Sequence, residues 1–118
     1  MVIYKRFGFD AAHFLPNVPD GHKCKNMHGH TYALVVYVKG ELQQPEGWVI
    51  DYSELKAAVN KVLVLVDHQC LNTVAGLENP TSEILVHWLW HMIEPLVPGL
   101  CKIELMETPT SGVVYEGQ

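Results

Sequence analysis

Three histidines give the first sign of chemistry. His28-Gly29-His30 follows Cys24 closely, and His13 lies upstream at the end of a different apolar stretch. Thr31 to Val38 is apolar at nearly every position up to Lys39-Gly40 and reads as a strand. If that strand starts near His28, period-two alternation puts His28 and His30 on one face. Gly29 between them removes bulk and allows close approach to the backbone. Val2 to Ala12 places Ile3, Phe7, Phe9 and Ala11 in near-alternation with Lys5, Arg6 and Asp10, a second strand. Pro16, Pro19 and Gly21 make residues 14–27 a long loop. Antiparallel pairing of the two strands returns His28 and His30 to His13. Three histidines without a fourth protein ligand match a catalytic zinc, which keeps one position open; a structural zinc takes four ligands.

Other residues carry weaker signals. Cys24 sits between Lys23 and Lys25 and beside the expected metal, surroundings that favour a thiolate able to act as base or nucleophile. Asp67-His68 ends a predicted helix, where a carboxylate can orient an imidazole as a proton relay; spacing alone better fits a histidine complementing the helix dipole. Glu107 ends a late strand, where its carboxylate can accept from a forked N–H pair. His87 and His91 have i, i+4 ligand spacing but no third partner, and read as surface or interface residues. Cys70 and Cys101 lie among apolar neighbours and read as packing residues.

Positioning these groups requires the following elements. Asp51 and Glu54 form a capping box that opens a helix to about Val66, with Leu55, Ala58, Val59, Val62, Leu63 and Val66 on its apolar face. Gln69 to Asn79 reads as a loop. Asn79 as cap and Pro80 as first residue start a second helix ending before Pro98-Gly99, with Ile84, Leu85, Trp88, Met92 and Ile93 as its core stripe. Strands over Cys101 to Thr108 and Gly112 to Glu116 close the chain. The order ββααββ predicts one α+β domain over residues 1–118, a four-stranded antiparallel sheet with two helices on one face.

The 118 residues bear a net charge of -5, with 48% hydrophobic and 18% charged residues. That balance excludes a general binder of nucleic acid or anionic membrane. No basic-apolar leader and no transmembrane-length apolar run is present, and the three cysteines read as thiols, so a cytoplasmic location is expected.

Phe9-Asp10-Ala11-Ala12-His13, Cys24-x-x-x-His28-Gly29-His30, Leu65-Val66-Asp67-His68, Glu78-Asn79-Pro80-Thr81-Ser82-Glu83 and Glu107-Thr108 together resemble the 6-pyruvoyltetrahydropterin synthase family over the whole chain. The Cys24-to-His28 spacing, Gly21-His22-Lys23-Cys24 and the run from Gly76 to Glu83 look like its bacterial branch, the 6-carboxy-5,6,7,8-tetrahydropterin synthases of queuosine biosynthesis. The resemblance implies a tunnelling fold whose sheets close into a barrel in a trimer or dimer of trimers. It implies zinc on His13, His28 and His30, and Cys24 as proton-abstracting residue. Asp67 and His68 of a neighbouring subunit complete that triad, and Glu107 with Thr108 binds the pterin. The implied reaction converts 7,8-dihydroneopterin triphosphate to 6-carboxytetrahydropterin with release of acetaldehyde and triphosphate. A pyruvoyl-forming enzyme and a non-catalytic metal- or pterin-binding protein are the alternatives. Phe14 and Met106 stand where relatives often carry cations, which removes positive charge near an anionic substrate.

Assembly is expected on physical grounds too. Two helices cover only one face of the sheet, so either Leu34, Val36 and Val38 or Val35 and Tyr37 are left on an apolar uncovered face, with open edges at the sheet's ends.

Overall fold

The computed structural model describes residues 1–118 as a five-stranded sheet backed by two helices. The strands are β1 (Val2–His13), β2 (His28–Lys39), β3 (Gln69–Cys70), β4 (Leu100–Thr108) and β5 (Ser111–Tyr115); the helices are α1 (Tyr52–Leu63) and α2 (Ser82–Ile93). Sheet order is β3-β1-β2-β4-β5, antiparallel throughout except for β3, which runs parallel to β1. The chain is elongated, 58 × 23 × 22 Å, because β1 and β2 are both twelve residues long and pair end to end.

The register explains which side chains are inside. Phe7 lies opposite Leu34, Phe9 opposite Tyr32, Leu34 opposite Leu105 and Val36 opposite Ile103. These residues share one face, where α1 packs over β1 and α2 over β4 and β5. Leu34, Val36 and Val38 are therefore core, and Val35 and Tyr37 point outward. The outward face is not the apolar patch expected from the sequence. It carries Tyr4, Arg6, Lys102 and Glu104, and the Tyr37 hydroxyl donates to Glu104 at 3.1 Å while Lys102 pairs with Glu104 at 3.3 Å. Val35, flanked in register by Arg6 and Glu104, is buried on that same face.

The helices form for local reasons that the sequence signals in part. Asp51 caps α1, accepting from Ser53 N–H at 2.8 Å, and Leu55, Val59, Val62, Leu63 and Val66 are all buried as expected. The α-helix proper ends at Leu63; its last turn tightens, with Leu65 N–H on Val62 O and Val66 N–H on Leu63 O. In α2 the cap is Thr81 rather than Asn79, since the Thr81 hydroxyl takes Ile84 N–H at 3.2 Å, and Pro80 lies outside the helix. The α2 stripe is also rotated from the expected one. Val86, Leu89 and Trp90 are buried with Leu85 and Ile93, whereas Ile84 and Met92 face solvent. The helix is apolar nearly all round, so periodicity alone could not fix its phase. It ends at Ile93 and passes into a short 3-10 turn at Glu94–Leu96, short of Pro98. The fifth strand, β3, falls inside the expected loop, because two residues are too few to display alternation.

The rotated stripe gives a direct check. Leu89→Ala should cost about 2–5 kcal/mol in urea unfolding, as buried leucine truncations do, and Ile84→Ala should stay within about 0.5 kcal/mol. The opposite ranking would mean that α2 packs in the phase read from the sequence.

Candidate metal site and relay

The β1–β2 register puts His13 directly opposite His28 and Ala11 opposite His30. All three histidines therefore project from the covered face at the helix-layer end of the core. His13 is fully buried, and its ring meets those of His28 and His30 edge-on at centroid distances of 4.6 and 5.0 Å. The coordinating atoms of the three lie within 4.8 Å of one another. Backbone carbonyls hold two of the rings from behind. His13 Nδ1 donates to Pro80 O at 2.9 Å and His28 Nδ1 donates to Asn26 O at 2.7 Å, which leaves both Nε2 lone pairs aimed inward, 3.0 Å apart.

His30 Nε2 is buried without a hydrogen-bond partner: Glu107 Oε1 is 3.0 Å away, off the line a ring N–H would need. A buried ring nitrogen left unpaired is costly. Two Nε2 atoms pre-aimed by their tautomers and a third left orphaned beside them fit a metal ion, so the three-histidine cluster can hold one. Burial lowers the His13 pKa, with the neighbouring imidazoles adding to the effect, and so favours the neutral ligand form. Tyr32, stacked on Phe9 with centroids 4.9 Å apart, buttresses His13 and puts its hydroxyl 3.4 Å from Nδ1. Burial raises the Tyr32 phenol well above its usual range. Beyond His13, Asn72 clamps the chain through both backbone groups of Phe14, at 3.0 and 2.8 Å.

A cavity of about 420 Å³ opens beside this cluster, lined by Lys23, Cys24, His28, His30 and Glu107. Cys24 lies on a 3-10 turn, Lys23–Lys25, at the end of the long loop, where Cys24 O accepts from Leu15 N–H at 2.8 Å. Glu107 presents Oε1 to His13 and His30, at 3.4 and 3.0 Å, and Oε2 to the Ser82 hydroxyl at 3.1 Å. Thr108 does not share that cavity; it lines a shallow depression with Arg6, Thr31, Ala33, Met106 and Pro109. Met106, opposite Ala33, is likewise on the outward face.

Asp67 and His68 form the second group. Asp67 Oδ1 sits 2.9 Å from His68 Nδ1, so adjacent residues do meet once the helix has ended. His68 has φ of 59°, rare for a residue with a side chain. Asp67 also accepts from Asp10 N–H at 3.0 Å, the main cause holding its carboxyl below the usual range. His68, Asp10, Thr31 and Cys70 line a separate hollow with His30 and Gly29. Within one chain Cys24 and His68 thus line different cavities, with His30 between them. His87 and His91 are exposed, with ring centroids 4.2 Å apart, and belong to neither of these groups.

Sequence reasoning did not find Asn26, Pro80, Tyr32, Ser82 or Asn72. The first two act through carbonyls, which no residue type reveals. Pro80 and Ser82 stand in one motif of the resemblance, where Pro80 reads only as the first helical residue and Ser82 carries no separate signal.

An α+β chain with three histidines on the covered face of its sheet, a cavity cysteine and a nearby glutamate can be compared with known proteins. The family model described as 6-pyruvoyl tetrahydropterin synthase matches residues 2–118. A Haemophilus influenzae protein named 6-carboxy-5,6,7,8-tetrahydropterin synthase is 48% identical over 143 residues, covering 97% of each chain. A Synechocystis protein of the same name is 41% identical over 120 residues, 97% of this chain and 92% of that one. A Pyrococcus furiosus protein named dihydroneopterin monophosphate aldolase is 36% identical, covering 98% and 96%. The solved structure of Caenorhabditis elegans 6-pyruvoyl tetrahydropterin synthase superposes with a TM-score of 0.92 at 28% identity, covering 100% of this chain and 96% of that one. Fold and site thus define a member of a lyase-type pterin enzyme class. The chain belongs to the 6-pyruvoyl tetrahydropterin synthase family.

The site makes one demand on binding. Metal-stripped protein should regain about one divalent transition metal per chain; His28→Ala should abolish that in dialysis and elemental analysis, and His87→Ala should retain it. Retention by His28→Ala together with loss in His87→Ala would move the metal to α2.

Proposed function

We propose that this protein is a zinc-dependent 6-carboxy-5,6,7,8-tetrahydropterin synthase, converting 7,8-dihydroneopterin triphosphate and one water to 6-carboxytetrahydropterin, acetaldehyde and triphosphate in the cytoplasmic route to queuosine. The observation that carries the reading is the meeting of three histidine Nε2 atoms beside Cys24 and Glu107 in one cavity. The carboxy names of relatives at 48% and 41% identity support this branch over the pyruvoyl-forming one.

Three nitrogen ligands with an open position suit zinc held by His13, His28 and His30. When bound there it supplies Lewis-acid polarisation of the substrate's side-chain oxygens, which acidifies the adjacent C–H. Cys24 removes that proton as thiolate. His68, with Nδ1–H fixed on Asp67, carries protons at Nε2 between carbon and oxygen positions as the carbonyl migrates along the side chain. Glu107 anchors the pterin by accepting its 2-amino and N3–H groups; Thr108, in a separate depression with Arg6 and Met106, takes no part in that contact within one chain. Proton shifts, elimination of triphosphate and C–C cleavage by one added water balance without a redox cofactor.

The proton relay also supports assembly. Cys24 and His68 line different cavities of one chain, and they act together if copies pair their sheets edge to edge into a barrel, as a trimer or dimer of trimers. The His68 edge of one copy then faces the Cys24 cavity of the next. A second reading, cleavage of a monophosphate, draws support from the single cation lining the cavity, Lys23, and from the Pyrococcus relative's name.

Incubation with dihydroneopterin triphosphate and mass identification of products decides among these readings: 6-carboxytetrahydropterin with acetaldehyde is expected, and a pyruvoyl product or no turnover would refute the proposal. Cys24→Ala at full metal loading should lower kcat by about 10²-fold or more, the scale of a positioned general base; unchanged turnover would remove Cys24 from the mechanism. Mixing inactive Cys24→Ala with inactive His68→Ala chains should restore part of the activity, and no rescue in mixtures shown to exchange subunits would rule out a shared site.

A further inference from the structure

Asp10 makes three contacts for which no role has been assigned. Its backbone C=O accepts from His68 N–H at 2.6 Å, and its backbone N–H donates to Asp67 Oδ1 at 3.0 Å. Its side-chain Oδ1 accepts from the Thr31 hydroxyl at 2.6 Å. One residue therefore grips both members of the Asp67–His68 pair through its backbone, and its own side chain is tied to the neighbouring strand.

The strand pairing makes this arrangement available. Asp10 and Thr31 are directly opposite in the β1–β2 ladder, and their side chains sit together on the outward face. The Asp10 N–H and C=O point the other way, to the edge where β3 joins β1. β3 begins at Gln69, so His68 is its lead-in residue and its N–H···O bond to Asp10 opens the parallel pairing. That bond also holds His68 in its left-handed backbone conformation, which persists only where surroundings enforce it. Nδ1 is committed to Asp67, which leaves Nε2 as the free nitrogen of His68, a residue that lines the hollow shared with Thr31, Gly29 and His30.

We propose that Thr31 and Asp10 are positioning residues of the relay: the Thr31 hydroxyl fixes the Asp10 carboxylate, whose oxygen lies within 4.8 Å of the Asp67 carboxylate and a His68 ring nitrogen, and that carboxylate holds the orientation and tautomer of the pair. Neither touches the reacting atoms. Thr31 follows His30 in β2 with its side chain on the opposite face, so one short piece of strand sets a metal ligand on one side and the relay's support on the other. The inference rests on the proposed proton-carrying role of Asp67 and His68.

The test uses the full-length, metal-loaded protein. Thr31→Val removes the hydroxyl and keeps the shape, and Thr31→Ser keeps the hydroxyl. Asp10→Ala removes the acceptor and Asp10→Asn keeps one, which gives a second route should Thr31→Val unfold. Readouts are kcat and KM on dihydroneopterin triphosphate, metal content, and the His68 ring-nitrogen NMR signals, assigned by their loss in His68→Gln. Thr31→Val and Asp10→Ala should lower kcat by about tenfold, a loss on the scale of a misplaced catalytic group. KM should stay within about twofold and metal content should be unchanged. The His68 signals should move from the Nδ1–H tautomer toward a mixture. Thr31→Ser and Asp10→Asn should return kcat to within about threefold of the parent. Full kcat in Thr31→Val, a loss matched by metal loss, unmoved His68 signals, or no recovery in Thr31→Ser would overturn the inference. If the parent protein turns over no dihydroneopterin phosphate, the proposed function fails, and the His68 signals alone still decide whether Thr31 and Asp10 set its tautomer.

Discussion

His13 and His28 face each other across the β1–β2 ladder, and every other feature of the site is referred to that pair. The same register sets Phe9 against Tyr32 and Phe7 against Leu34, so the alignment that fills the core also brings three imidazoles together. A slip of β2 by one residue would send His28 and His30 to the outward face and Leu34 and Val36 with them. Hydrophobic burial along twelve residues of each strand thus enforces ligand geometry at one end, and the site inherits a precision that a loop could not give it.

The sheet divides the chemistry between two places. On the covered face His28, His30, Cys24 and Glu107 line one cavity; on the β3 edge His68 lines another. β3 is only two residues long, but it determines where His68 lies relative to β1. An edge element this short is poorly suited to bear core load. It serves as a bracket between the end of α1 and the strand carrying the first ligand.

Much of this could be read from residue types, and the failures have physical causes. The same-face placement of His28 and His30, the return of His13 and the α1 stripe follow from alternation and helical period, signals strong over long elements. β3 was missed because two residues carry no period. The phase of α2 was misread because Leu85, Val86, Trp88, Leu89 and Trp90 offer several apolar faces, and only contact with β4 and β5 selects one. The apolar outward face expected from Val35 and Tyr37 is broken by Arg6, Lys102 and Glu104, which come from other strands and meet only through pairing. Pro80 O and Asn26 O stayed invisible because a carbonyl is common to every residue.

The two anchored histidines are held in unlike ways. His28 leans on Asn26, two positions away on its own strand's approach, so its ring is oriented as soon as the loop's end is formed. His13 leans on Pro80, across the whole body of the chain and one residue before the cap of α2. Ion affinity is therefore linked to seating of the helix layer. Whatever loosens the start of α2 frees the His13 ring and weakens the site, and by thermodynamic reciprocity an ion on the three nitrogens tightens α2 against the sheet. With an ion on its three nitrogens, the cluster would be a clasp closing the fold.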